Sequence, residues 1–238
     1  MPVVDLRGTG RWPKELPNLT EEQSRIRDEF MARWLSVLPN KYGVIERFNH
    51  GYAAHAVPPR GRTLEIGPGV GAHLSYENLD SQDYFAVELR EELISELKSR
   101  YPQVSVVAGD CQERLPFDDA FFDRVLAIHV LEHLPNLPAA LNEISRVLKQ
   151  QGRFVVVIPC EGGFAYSLGR RVSAQRLFEC EFGMSYEWLI RSEHLSVPWE
   201  IIKELKTGFR IVNSRYFPLR LHAVALNLAI GLTLEPIR

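Results

Sequence analysis

Two short stretches of the chain hold the residue types from which a reaction centre is built. The first, LEIGPGVGAHL over residues 64–74, places Gly67, Gly69 and Gly71 within five positions and sets an acid, Glu65, just ahead of them. Glycine reaches positive φ without steric cost and lets a ligand approach the main chain, so this spacing belongs to a loop wrapped around a bound small molecule. The second, HVLEH over residues 129–133, puts His129, Glu132 and His133 at i, i+3 and i+4, one face of a helix. Imidazole beside carboxylate serves proton transfer or metal ligation, and HxxEH is also a zinc-peptidase spacing. Glu88 and Asp110 each close an apolar run, and His194 is a further candidate base. Arg170, Arg171 and Arg176 make their segment locally basic, which suits a phosphorylated or carboxylated acceptor.

Positioning these groups falls to alternating elements. Short β-rich runs appear at RTLEI (62–66), YFAVE (84–88), VSVVA (104–108), DRVLAI (123–128) and RFVVVIP (153–159), with helical patterns at REELISELKSRY (90–101) and LPAALNEISRVLKQQ (137–151). Strand, helix, strand repeated in this way predicts a parallel sheet covered on both faces, with ligands at the carboxyl ends of its strands. FRIVNSRYFPLR (209–220) and LNLAIGLTLEP (226–236) add two strands, the apolar second one read as part of an edge hairpin. Ahead of the sheet, residues 1–19 read as an extended arm. Thr20 and Gln23 form a capping box for a helix whose apolar face is Ile26, Phe30, Met31, Trp34 and Leu38. A second helix runs from Val44 to Ala56 and stops before Pro58 and Pro59. Residues 160–206 are too long for a plain connection and too aromatic for disorder, so they read as a lid. Within it Ser196 is the expected N-cap of a helix with Pro198 in its first turn, leaving His194 in the preceding loop. The expected division of the single domain 1–238 is thus 1–58 arm and helices, 59–158 cofactor-binding core, 159–206 lid and 207–238 last strands.

The glycine loop has two readings. As GxGxxG/A, Gly67, Gly69 and Ala72 with Glu88 about 20 residues on satisfy a dinucleotide fingerprint. A diphosphate sits badly beside Glu65, however, and no tyrosine is followed four residues later by lysine, the pair a short-chain reductase of this size uses. Four ordered motifs over residues 62–158 carry the other reading: LEIGPGVG, AVE, VVAGDCQERLPFDDAFFD and DRVLAIHVLEHL. In these the chain resembles the class I S-adenosylmethionine-dependent methyltransferases. The resemblance implies a three-layer Rossmann-like α/β fold with a seven-stranded, mostly parallel sheet, an N-terminal helical extension and the lid between strands five and six. It implies S-adenosyl-L-methionine as cofactor, held by Glu65, Gly67, Gly69, Gly71, Glu88, Asp110, Cys111 and His129. In that family the acid at Glu88 grips the ribose hydroxyls and Asp110 faces the adenine amino group. His129 and His133 are the candidate catalytic bases, since the cofactor is already an activated methyl donor and the protein must mainly align the acceptor. Some relatives that act on RNA 3′ ends or polyprenyl catechols support a divalent metal on ExxEH here. His129 stands where the first of those acids would be, and imidazole suits Mg²⁺ poorly, so no metal is expected. EHL is then the first turn of the helix after strand four.

Composition narrows the partners. A net charge of −2 advertises no nucleic acid, and three scattered cysteines without a CxxC pair suit a reducing cytoplasm. The N-terminal residues contain no secretory apolar run, and the longest uncharged apolar run, near the C-terminus, is about 14 residues, short of a bilayer span. The expectation is a cytoplasmic methyltransferase for a small-molecule acceptor, a sugar or sugar-nucleotide, with no nucleic-acid partner and no stable membrane insertion. The alternatives are methylation of a lipid or quinone precursor, and a non-catalytic cofactor-binding module. Oligomeric state is not legible.

Overall fold

The computed structural model of the chain describes residues 11–41, 43–57 and 61–237, with side chains in the first span as far as Trp34. Residues 1–10 of the expected arm, the side chain of Leu38, and Pro58 and Pro59 lie outside the described residues. Seven strands form one sheet: β1 Arg62–Ile66, β2 Asp83–Glu88, β3 Ser105–Ala108, β4 Phe122–Ile128, β5 Leu148–Pro159, β6 Phe209–Phe217 and β7 Ala229–Pro236. Their order is β3-β2-β1-β4-β5-β7-β6. The first five are parallel, and β7 runs antiparallel to both β5 and β6. Eight helices accompany them among the described residues: α1 Glu21–Lys41, α2 Gly43–Ala56, α3 Glu91–Arg100, α4 Leu137–Val147, α5 Phe164–Val172, α6 Ala174–Phe182, α7 Glu187–Glu193 and α8 Pro198–Gly208. This is the three-layer Rossmann-like arrangement. None of the helices is long and apolar enough to cross a membrane.

Side chains alternate across a strand, so each central strand feeds two cores. Val125 and Ala127 of β4 join the core under α4 and α8, with Ile144, Ile201 and Leu205; Leu126 points the other way, to Tyr52 and Ala53 of α2 and Leu97 of α3. A third core lies apart from the sheet. Ile26 and Phe30 of α1 pack with Phe178, Tyr186, Leu189 and Ile190 of α6, α7 and their connection. The Phe30 ring meets Phe178 edge-on at 5.1 Å. The Thr20–Gln23 capping box that starts α1 is present, at 3.0 and 3.2 Å.

Several expectations are corrected. Residues 148–151 leave the helix and begin β5, because the register shift between Phe122 and Arg124 lets β5 pair from Leu148 onward. The edge hairpin is present as β6 and β7; β7 is its inner strand, between β5 and β6, and its apolar run is long because both of its faces are buried. α8 belongs to the layer over the sheet, since Ile201 and Leu205 are fully buried in the main core, so the insertion proper ends at Val197. The N-cap of α8 is Val197 instead of Ser196, with the Glu200 carboxylate accepting from the Val197 N–H at 3.3 Å. The glycine loop opens a 3₁₀ turn, Ala72–Tyr76, and no α-helix. Likewise 131–133 is a 3₁₀ turn, and α4 starts only at Leu137 under an Asn136 cap.

One buried ionic network ties three elements together. Arg124 of β4, 1% exposed, donates to Glu77 at 2.6 Å, Gln82 at 3.0 Å and Thr63 at 3.2 Å. His73 meets the other Glu77 oxygen at 2.9 Å. Burial alone would raise the Glu77 pKa, but the His73 bond and the Arg124 charge outweigh it and hold the carboxyl at about 2. A carboxyl depressed in the folded state stabilises the fold fully above its unfolded value, near 4.3, and loses that contribution as pH falls toward 2. Melting temperature measured against pH is therefore expected to fall across roughly pH 4.5 to 2, with a shallower slope in Glu77→Gln; equal slopes would show that Glu77 does not carry the acid limb.

Candidate functional site

Strand order converts into a row of side chains. At the carboxyl ends of β3, β2, β1, β4 and β5, in that spatial order, stand Asp110, Glu88, the 67–71 loop, His129 and Glu161. With strands roughly 4.8 Å apart, the row spans about 19 Å. Its two halves differ in chemistry.

The first half is a cradle for a small molecule. Gly67, Gly69 and Gly71 all have positive φ, 62°, 57° and 79°. Their missing side chains do different jobs. A Cβ on Gly71 would meet Tyr101 at 2.8 Å and Leu97 at 2.9 Å, so that glycine serves packing against α3. One on Gly67 would meet Val130 at 2.9 Å, whereas one on Gly69 would meet nothing within 4 Å. Gly69 is thus where the backbone lies bare. Its N–H donates to Glu88 at 3.1 Å, and the same carboxylate accepts from the N–H groups of Leu89 and Arg90 at 3.0 and 3.1 Å. Asp110 accepts from the Gln112 N–H at 2.8 Å and from its amide nitrogen, while the Gln112 carbonyl accepts from the Asn136 N–H at 2.7 Å. That chain fixes the acid beside the mouth of the crevice. Glu65 is buried and accepts from Tyr84 at 2.8 Å; burial raises its pKa. The Cys111 thiol lies in the core, and burial pushes its pKa to about 12. Because the loop leads into a five-residue 3₁₀ turn, it offers a diphosphate no helix N-terminus to sit on.

The second half gathers imidazoles and acids. His129 has φ 53°, and its Nδ1 lies 3.1 Å from Glu132 Oε1. Glu132 is 1% exposed; burial works against its charge, but His129 and the neighbouring His133 and His194 hold its pKa at about 2. The Nδ1 of His133 lies 2.5 Å from the Glu193 carbonyl oxygen. His194, which ends α7, places Nδ1 3.1 Å from Glu161 Oε2, and its ring crosses that of His133 at 5.1 Å. Burial lowers the His133 pKa; burial also lowers that of His194, but Glu161 and Glu132 turn its net shift upward. Arg170 pairs with Glu161, which removes it from the basic set expected to greet an anionic acceptor; Arg171 and Arg176 are exposed. Tyr166 packs against the main core beside this cluster. Sequence reading missed Glu161. Its signal is positional: like Glu88 and Asp110, it stands at the carboxyl end of one of the five parallel strands.

Residues 64–156 match the family model described as a methyltransferase domain. A sterol 4-C-methyltransferase from Caenorhabditis elegans is 37% identical over 103 residues, covering 39% of this chain and 29% of the relative. A demethylmenaquinone methyltransferase from Beutenbergia cavernae is 34% identical over 98 residues, 41% of this chain and 40% of the relative. The chain spans less than two thirds of the length of these curated relatives. Among solved structures, a SAM-dependent methyltransferase from Aquifex aeolicus superposes with a TM-score of 0.60 at 14% identity, over 89% of this chain and 98% of the other, a likeness of fold.

Proposed function

We propose, from the premise that this chain belongs through residues 64–156 to the class I S-adenosylmethionine-dependent methyltransferases, that it transfers a methyl group from S-adenosylmethionine to a small-molecule acceptor. The observation that carries this is the bare Gly69 backbone, flanked in one row by Glu88 and Asp110 on one side and by the imidazole cluster on the other. Glu88 would hold the ribose hydroxyls, Asp110 the adenine amino group, and Glu65 the positive methionine end. The bound cofactor supplies the activated methyl. His129 and His133 are the groups in place to take a proton from an acceptor hydroxyl.

Of the acceptor classes considered, one with an apolar body has a specific observation in its favour. Arg170 is occupied by Glu161, whereas Phe164, Leu168 and Val172, one stripe along α5, are 71%, 50% and 67% exposed. That stripe begins three residues after Glu161 and offers apolar contact where a sugar-nucleotide would want charge. A lipid or quinone precursor therefore stands ahead of a sugar or sugar-nucleotide. The reading includes a cytoplasmic protein without a nucleic-acid partner, in keeping with its near-neutral charge.

Calorimetry with S-adenosylhomocysteine, followed by turnover against a panel of quinone, sterol and sugar-nucleotide acceptors, tests the proposal. Cofactor binding with methylation of an apolar acceptor is expected. Binding with no turnover on any acceptor would leave a non-catalytic module, and turnover on sugar-nucleotides alone would reverse the choice of acceptor.

A further inference from the structure

Glu132, His133 and His194 bring one ligand atom each to within 4.8 Å of one another. Three features of this cluster are not explained by proton transfer alone. First, Glu132 is 1% exposed, and its Oε2 is buried without a hydrogen-bond partner, a costly arrangement for a carboxylate. Second, the two imidazoles are held in the same manner. His133 directs Nδ1 to the Glu193 carbonyl at 2.5 Å and His194 directs Nδ1 to Glu161 at 3.1 Å, which fixes both rings and leaves each Nε2 for another partner. An acceptor behind Nδ1 is how a metal-binding histidine is oriented and made more basic. Third, the cluster is assembled from separate parts of the chain. Glu132 and His133 come from the turn after β4 and His194 from the end of α7, tied together where the Glu132 carbonyl accepts from the N–H groups of Leu195 and Ser196 at 2.8 and 3.1 Å.

We propose that Glu132, His133 and His194 form a binding site for a divalent transition-metal ion of the zinc class, with a coordination position left for an oxygen ligand. Two nitrogens and one carboxylate oxygen make a three-protein-ligand set that leaves a fourth place open. Tetrahedral zinc with ligands at 2.0–2.1 Å sets them roughly 3.3 Å apart, so the present cluster needs only a modest contraction. Imidazole-rich ligation selects zinc, cobalt or iron over magnesium. The Glu132 charge then acquires the counter-ion its burial calls for. His129, at 3.1 Å from Glu132 Oε1, holds the carboxylate from the other side. On the methyl-transfer reading the open position would take an acceptor hydroxyl and ease its deprotonation, but metal binding itself does not depend on that reading. Sequence alone offers no third ligand beside HVLEH, because the one the fold supplies lies 61 positions beyond His133.

The test uses the full-length protein stripped with EDTA, its fold checked by circular dichroism, and titrated with Co²⁺ alone. One equivalent is expected to bind with visible d–d absorption, to be displaced by Zn²⁺, and to resist Mg²⁺ at the same concentration. His194→Ala and His133→Ala should lose the absorption, and His222→Ala, in an exposed loop, should keep it. Glu161→Gln, which retains all three ligands, should weaken Co²⁺ by roughly 10- to 100-fold as the loss of the group orienting His194; this arm stands even if the alanine variants do not fold. No saturable binding, competition by Mg²⁺ as effective as by Zn²⁺, or equal Co²⁺ affinity in Glu161→Gln and wild type would each overturn the proposal. Because no cofactor or acceptor is present, its failure leaves the methyl-transfer reading to be judged by calorimetry.

Discussion

Glu88→Ala is expected to weaken S-adenosylhomocysteine binding by about 10- to 100-fold, roughly 1.4–2.8 kcal/mol. Two losses combine in that figure. On the proposed reading the carboxylate at the end of β2 accepts from the ribose diol, and charge-assisted bonds of this kind contribute about 1.5–3 kcal/mol each. It also accepts from the Gly69 N–H at 3.1 Å, so its removal frees the loop at the one glycine whose backbone is open to a ligand. Glu88→Gln retains one acceptor oxygen and should fall between wild type and alanine. Calorimetry measures all three. Binding of NADH with no response to S-adenosylhomocysteine in the wild-type protein would sink the methyltransferase reading altogether.

Arg124→Met should be the most destabilising single change in the sheet. The guanidinium is 1% exposed and is the charge opposite Glu77, which is itself 1% exposed. Removing one member of a buried pair leaves the other uncompensated and costs about 3–5 kcal/mol. For a chain of this size that corresponds to a fall in melting temperature of roughly 6–20 °C. The cost lies in the stranded charge more than in the missing side chain, so Arg124→Met combined with Glu77→Gln should recover a large part of it. Urea unfolding of the two single variants and the double variant closes the cycle. Strict additivity would show that the two residues do not act as a pair.

The placement of the first half of the candidate site was legible in the sequence because its parts are local. An apolar run that must be a buried strand ends in an acid or a glycine, and the parallel sheet sets those ends side by side; Glu88, Asp110 and the 67–71 loop follow from that alone. Elsewhere local pattern misled. The apolar periodicity of 137–151 runs through Leu148, but pairing with β4 claims that residue for a strand. The imidazole half was hidden for a different reason: Glu161 and His194 stand 33 positions apart, and nothing near either announces the other. Their meeting is decided by how α5, α6 and α7 fold back, which is tertiary packing and has no period.

Among the described residues, the aromatic cluster between α1 and the insertion shares no side chain with the two cores that hold the sheet. Segments with a core of their own can come apart as a unit at a free energy below that of global unfolding. Phe30 touches Tyr186, the Tyr186 ring lies beneath the Arg170 guanidinium at 5.9 Å, and Arg170 pairs with the same Glu161 that holds His194. Detachment of α1 would therefore unseat His194 through four consecutive contacts. Breathing of a peripheral helix, instead of the swing of a hinge, would set how often the imidazole cluster is correctly assembled.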